Sequence, residues 1–501
     1  MARQRIELYL KLIFVFLGAL AALLSLKTYI SDSEFWAVTA SKQLFEPGAS
    51  ASVYMKILFY AVLKPIYALP LDNISHVLVA RMEFAVVGSL TAFVFYRVAR
   101  LIFDTELEAL LITVLLTTCT LFLSQSFRIR SDNFASLLNL VVMWIVLNHA
   151  RKENGRWIGS SLAIFALNTL LIATTPKSIY FLMIGGLFTA LLQFPKLKRQ
   201  QKAIMVGVAF VAPPFALASL FEIVTWIPAF RWIERAATLA YDYFQDSFAG
   251  LAGQGSYLSE ADFVHVFALL RQNPVLDVFL LASLVLWILD WRTFSDRARG
   301  AYLSLLVVSV FLMIFHNQKL PFFIYSLLPT LVLGAGCAWK ARFSSKTSAV
   351  REKTVATVVA ACMTTAALHT YLSLKETTNS EQIEALSYLQ RAMESEQPVT
   401  YYDAIGLLPR LNQIFAFPSP NDRNNPILMK VVENKRPTVI LYVTRTLELE
   451  PRMGFFLAEY YSDLGAGIWV SKNADTSLRE HIGVPPLHMD LRYLFGFDIP
   501  Y

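Results

Sequence analysis

Crossing a hydrocarbon layer ~30 Å thick takes ~20 consecutive apolar residues in a helix, since each residue rises ~1.5 Å and every backbone polar group must pair within the chain. About eleven stretches of this sequence meet or approach that condition. They run approximately over 8–29, 77–97, 107–124, 132–149, 157–173, 179–193, 203–224, 275–290, 301–315, 321–339 and 354–373. An α-helical polytopic membrane protein is the fold class this pattern implies. Composition agrees, because 56% hydrophobic and 16% charged residues over 501 positions fit neither a disordered chain nor a set of soluble domains. Cys119, Cys337 and Cys362 all sit inside apolar runs, so they form no disulfide framework.

The basic residues set the orientation. Met1-Ala-Arg-Gln-Arg5 precedes a first span too long for a cleaved signal peptide, which reads as an uncleaved anchor with its N-terminus in the cytoplasm. Alternate connections are then cytoplasmic and basic: Arg97/Arg100, Arg151/Lys152/Arg156, Lys196 to Lys202, Arg292 to Arg299, and Lys340 to Lys353. This accounts for most of the formal net charge of +7 without nucleic acid. The outer side receives loops of about 30–76 and 225–274, the second rich in aromatics, and a tail from about 374 onward. That tail carries an alternating run over 438–444, a helix-like Phe455–Tyr461 and a strand-like Gly467–Val470. It reads as a small periplasmic α/β domain of about 125 residues, enough to bury a core. The expected domains are therefore 1–373, transmembrane, and 374–501, C-terminal.

Ionisable groups cluster at the outer ends of the spans, where polar side chains are expensive and hence functional candidates. Asp32 and Glu34 follow the first span. Ser31 with Glu34 also forms a capping box, but a carboxylate held beside the membrane suits a general base acting on a hydroxyl acceptor. Arg128, Arg130 and Asp132 open the fourth span. Asp132 or Ser131 could cap that helix, whereas two arginines on the outer side oppose the charge bias and point to an anion at the interface, a lipid head-group or a lipid-linked phosphate. Lys56, Lys177 and Lys319 share that side with Tyr54 and His316, although each lysine alone reads as a snorkelling side chain. No Walker loop, dinucleotide fingerprint, zinc-type His-Glu-x-x-His or nucleophile elbow is found, which argues against direct use of a soluble nucleotide.

These residues resemble the GT-C superfamily of integral membrane glycosyltransferases, and most the bacterial branch of protein O-mannosyltransferases and aminoarabinose transferases. The likeness rests on the acidic motif Asp32/Glu34 and the aromatic-Lys element Tyr54/Lys56. It extends to Val79-Ala-Arg81-Met with Tyr96-Arg-Val-Ala-Arg100-Leu-Ile-Phe103, to Asp132, and to Gln318-Lys-Leu-Pro-Phe-Phe-Ile-Tyr-Ser-Leu-Leu-Pro329. In those relatives the first two acids are usually adjacent, whereas Ser33 stands between them here, which leaves two candidates for the base the resemblance implies, Asp32 and, as alternate, Glu34. The resemblance implies an inverting transfer of a sugar from a polyprenyl-phosphate carrier to a hydroxyl acceptor (glycolipid, envelope polysaccharide or protein) outside the bacterial inner membrane. Asp132 would assist the base, and Lys56, Arg81, Arg128, Arg130, Lys177 and Lys319 would hold the donor phosphate. A divalent metal, Mg or Mn, is compatible with Asp32, Asp132 and His316 but not demanded, since the cations supply charge. The rivals are a transporter or flippase, which would favour broken mid-span helices in paired halves, and a non-catalytic lipid-binding relative.

Overall fold

The structure, a computed structural model, describes residues 2–28, 30, 34, 37–38, 40–41, 44, 56–103, 105–151, 157–175, 178–192, 197–225, 231, 234, 238, 274–289, 306–310, 312, 321–344, 348–376, 379, 383, 401–403, 436, 439–441, 451–463 and 468–473. Among these residues four helical segments are long and apolar enough to cross a membrane, Ile74–Ile102, Ser131–His149, Arg199–Ile223 and Lys353–Lys375, and six shorter apolar helices accompany them. Only 22% of the last segment's most apolar window is buried, and helix after helix turns large apolar side chains outward, as at Val86, Phe93, Val278 and Ile288. A surface of that kind suits lipid rather than water. The chain is a multi-pass membrane protein.

It divides into two compact units. The first comprises Met1–Ser25, Leu44–Val62 and Arg81–Leu372. Its helices come from α1 (Ala2–Lys27), α2 (Ile57–Tyr67), α3 (Asn73–Ile102), α4 (Glu106–Thr117), α5 (Thr120–Gln125), α6 (Ser131–Arg151), α7 (Trp157–Ile172), α8 (Ser178–Leu192), α9 (Arg199–Val206), α10 (Ala212–Thr225), α11 (Pro274–Leu289), α12 (Pro321–Ser344) and α13 (Ser348–Glu376). The turn between α3 and α4 is fixed by a capping box of Thr105 with Glu108 and by an Arg100–Glu106 ion pair at 2.9 Å. The apolar run over 107–124 is not one helix: α4 stops at Thr117 and α5 starts at Thr120. Thr113, Thr117 and Thr118 all turn their hydroxyls back onto carbonyls one turn earlier.

Between α9 and α10 lies a π-helical turn, Gly207–Val211. Pro213 and Pro214 have no N–H, and Pro213 therefore cannot serve the carbonyl of Ala209 four residues back. Asn168 of α7, itself buried, donates Nδ2 to that carbonyl at 2.7 Å, so the π-turn is stabilised by a neighbouring helix. Asn168→Leu leaves the carbonyl with no donor at low dielectric. The expected cost is about 1–2 kcal/mol, read as a lower melting temperature in detergent with the same oligomeric profile.

The second unit comprises Leu26–Gln43, Leu63–Ala80 and Ser373–Tyr501. Within it Asp72 caps α3, accepting from the Ser75 N–H at 2.9 Å and the Ser75 hydroxyl at 2.6 Å. Asn379 closes the end of α1, its backbone N–H donating to the Lys27 carbonyl at 2.8 Å and its Nδ2 to the Leu26 carbonyl at 2.8 Å. These are the orphan carbonyls of a helix C-terminus, satisfied here by a residue just beyond α13. The C-terminal ends of α1 and α13 thus emerge together. The tail contributes a four-stranded mixed sheet of order β1-β2-β4-β3, made of β1 (Tyr401–Asp403), β2 (Val439–Leu441), β3 (Tyr461–Asp463) and β4 (Ile468–Ser471). β1 and β2 are parallel and the other two pairings antiparallel, with Ile440 opposite Trp469 and Ser462 opposite Val470. Helix α14 (Pro451–Tyr460) packs beside β3, and Lys472 Nζ donates to the carbonyls of Ala458 and Glu459 in its last turn.

Candidate active site

Three helix starts of the first unit bring the chemistry together. At α2, the Leu58 N–H donates to the Ala173 carbonyl at 3.0 Å, and Ile57 and Leu58 pack on the cluster of Ala173, Leu217, Ala218 and Phe221. This docks the helix start and fixes Lys56 immediately before it, with its side chain half-buried. At α6, Asp132 lies in the first turn, 4% exposed, where a carboxylate complements the helix N-terminus. The turn before it is held by Asn133, whose Nδ2 is shared among the carbonyls of Gln125, Ser126 and Arg128 at 3.0, 3.2 and 2.7 Å. Gly88 of α3 lets that turn approach closely: a Cβ there would stand 2.8 Å from the Ser126 Cβ. An edge-to-face series of Phe59, Phe84 and Phe134 runs from α2 through α3 to α6, with ring centroids 5.9 and 5.2 Å apart, and ties the first two helix starts into one frame.

The result is a group of opposite charges. Arg130 Nε stands 4.0 Å from Asp132 Oδ2, a loose pairing. Burial is the main influence on the Lys56 ammonium and holds it below the usual lysine range, with Asp132 opposing that shift and Arg130 adding to it. Lys56, Arg130 and Asp132 therefore sense one another. Tyr325 of α12 joins them, within electrostatic reach of Asp132 and with its ring 5.7 Å from that of Phe122.

Arg81 and Arg128 form a second grouping. Arg81 is fully buried and donates Nη1 to the Ser25 carbonyl near the end of α1 at 3.1 Å. Its guanidinium lies 5.6 Å from the Phe127 ring centroid, and that of Arg128 lies 5.8 Å from the same ring. Two cations thus flank one aromatic in the turn that precedes Asp132. Glu34 is completely buried and belongs to the second unit. Asp32, Tyr54, Lys177, His316 and Lys319 lie outside the described residues. Among the described residues no three His, Cys, Asp or Glu side chains gather as a metal site, and of the trio Asp32, Asp132 and His316 only Asp132 is described.

Sequence reasoning did not single out Tyr325, because an aromatic in an apolar helix reads as core. Asn133 was not singled out either. The signal for Asn133 was an amide beside an Arg-rich turn, where loose carbonyls need a donor.

No family model matches the chain, and no curated protein matches it by sequence. Solved structures do match it. ArnT from Cupriavidus metallidurans bound to undecaprenyl phosphate is similar with a TM-score of 0.53 at 13% identity, over 80% of this chain and 83% of that one. The same protein in the apo state gives 0.51 at 13%, over 81% and 83%. The Archaeoglobus fulgidus oligosaccharyltransferase, in complex with Zn and sulfate, gives 0.51 at 11%, over 76% of this chain and 56% of that chain. At such identities the likeness is one of architecture, and it spans most of the helical chain. This multi-pass membrane protein shares the fold of those solved membrane proteins.

Proposed function

We propose that the protein is an inverting glycosyltransferase that moves a sugar from a polyprenyl-phosphate carrier to a hydroxyl acceptor on the outer face of the bacterial inner membrane. In this reading about eleven spans place the N-terminus in the cytoplasm and the α/β tail in the periplasm. The observation that carries it is the buried Asp132 with Arg130 4.0 Å away and Lys56 within electrostatic reach, at helix starts joined by the Phe59, Phe84 and Phe134 series. A matching structure of the same fold was solved bound to undecaprenyl phosphate, which supports a polyprenyl-linked lipid as partner.

The chemistry follows from those groups. The acceptor oxygen attacks the anomeric carbon, the bond from that carbon to the phosphate oxygen breaks, and the electron pair leaves with the phosphate. Negative charge grows on that oxygen as it departs, so a fixed cation in a water-poor pocket stabilises the transition state more than the ground state. Lys56 fills this role, with Arg128 and Arg130, and from the undescribed segments Lys177 and Lys319, as further phosphate ligands. Arg81, which donates Nη1 to the Ser25 carbonyl, is a further ligand of the same anion in this reading. The acceptor proton passes to Asp32, or to Glu34 as alternate, while Asp132 keeps Lys56 charged and assists the acceptor. The acceptor is a glycolipid, an envelope polysaccharide or a protein.

The test compares purified wild-type protein with Asp32→Asn and Glu34→Gln, following sugar-dependent release of polyprenyl phosphate by mass spectrometry. Release lost in Asp32→Asn and largely kept in Glu34→Gln names Asp32 as the base, and the reverse names Glu34. Donor binding without release in the wild type would instead favour a lipid-binding or transport role.

A further inference from the structure

Among the described residues, the Tyr325 hydroxyl is a buried donor with hydrogen-bonding capacity left over. The residue is 1% exposed, and among the described residues its hydroxyl has no hydrogen-bond partner. A buried hydroxyl in that condition is costly, unless a substrate completes it. Its ring is held by Phe122, and Leu327, Leu328 and Leu331 further along α12 are buried, so the phenol is fixed on a packed helix.

Its surroundings select the missing partner. Helix α12 packs against α6, which carries Asp132; an ionised carboxylate there offers acceptor sites, while a phenol offers a donor. A phosphate oxygen accepts from the phenol but is repelled by the carboxylate. A hydroxyl group suits both, accepting from Tyr325 and donating to Asp132.

We infer that Tyr325 and Asp132 together hold a substrate hydroxyl, which makes Tyr325 a binding residue for the sugar-bearing side of the site, apart from the cations that take the phosphate. The inference rests on the transferase reading above, since it takes its substrates from there. The hydroxyl has two possible sources, the sugar of the donor or the acceptor.

Tyr325→Phe tests this, because the ring and its Phe122 contact stay while the hydroxyl goes. Binding of a polyprenyl-phosphate sugar and of bare polyprenyl phosphate is measured for both proteins, together with the acceptor KM and the melting temperature. If the sugar is held, affinity for the sugar-bearing lipid falls about tenfold and that for the bare lipid is unchanged. If the acceptor is held, its KM rises about tenfold with both lipid affinities intact. In either case the melting temperature does not fall, since no hydrogen bond of the protein is lost. Unchanged lipid affinities and acceptor KM would overturn the inference, and so would a lower melting temperature as the sole effect. A wild type that binds donor without turning over would sink the transferase reading alone, and the two lipid affinities would then decide Tyr325: loss of the sugar-dependent part upholds it and no difference overturns it.

Discussion

Asp132→Asn is expected to lower turnover by about a hundredfold while leaving donor affinity unchanged or tighter at pH values where the Lys56 ammonium stays protonated. The side chain keeps its shape and loses its charge. It therefore stops repelling the lipid phosphate, which favours binding, and stops assisting the acceptor, which slows the chemical step. An interaction used mainly in the transition state shows itself in this way, as a fall in kcat without a rise in KM. The substitution also acts on Lys56. Asp132 is the influence that raises the ammonium's tendency to stay protonated against burial and Arg130, so its removal moves the titration of Lys56 still lower. Steady-state kinetics across pH on wild type and Asp132→Asn would reveal both effects, and a rise in KM with unchanged kcat would contradict the role given to Asp132.

Loss of Lys56 itself is the second large effect. Lys56→Ala is expected to weaken donor binding by roughly ten- to a hundredfold, because a charge-assisted hydrogen bond to phosphate contributes about 1.5–3 kcal/mol and tenfold corresponds to about 1.4 kcal/mol. Its pH dependence follows from the depressed pKa. The cation is fully present below that pKa and is lost as pH rises through it, so donor affinity declines on the alkaline side earlier than an ordinary lysine would allow. In Lys56→Arg the guanidinium stays charged and the decline disappears from the accessible range. Titrating donor affinity against pH for the three proteins checks the sign: a decline equal in Lys56→Arg and wild type would place the titrating group elsewhere.

The sequence made the helical membrane architecture readable because a bilayer punishes every unpaired backbone group, so spans appear as uninterrupted apolar runs. Breaks inside those runs were harder to see. Nothing in the apolar letters of 107–124 marks the interruption at Thr118–Cys119, since threonine hydroxyls satisfy the backbone locally at no cost in hydropathy. Helix α2 was hidden for another reason: Ile57–Tyr67 is only 11 residues long and was absorbed into the first outer loop. The span read over 203–224 took no account of the Pro213-Pro214 pair, and Asn168, which serves the carbonyl before it, sits on a different helix and could not be deduced from spacing.

The site divides along the same line. Asp132, Arg128 and Arg130 were legible because charge beside a span contradicts the hydrophobic pattern. The nearness of Lys56 to Asp132 and Arg130 was not, because it depends on how α2 docks against Ala173 and how three phenylalanines join α2, α3 and α6. Arg81 illustrates the difference in kind. The resemblance implies a phosphate ligand there, whereas its burial, its bond to the Ser25 carbonyl and its place over Phe127 reveal a structural duty.

The central claim is group transfer, and its most direct measurement is a mass balance. Purified protein in detergent is supplied with a polyprenyl-phosphate sugar and a membrane extract as acceptor source, and mass spectrometry follows both the liberated polyprenyl phosphate and the sugar newly attached to acceptor. The expected result is that the two appear in equal amounts, only with protein present, and that both fall together in Lys56→Ala and Asp132→Asn. Binding of the lipid-linked sugar with neither product formed, across donors that differ in their sugar, would contradict it.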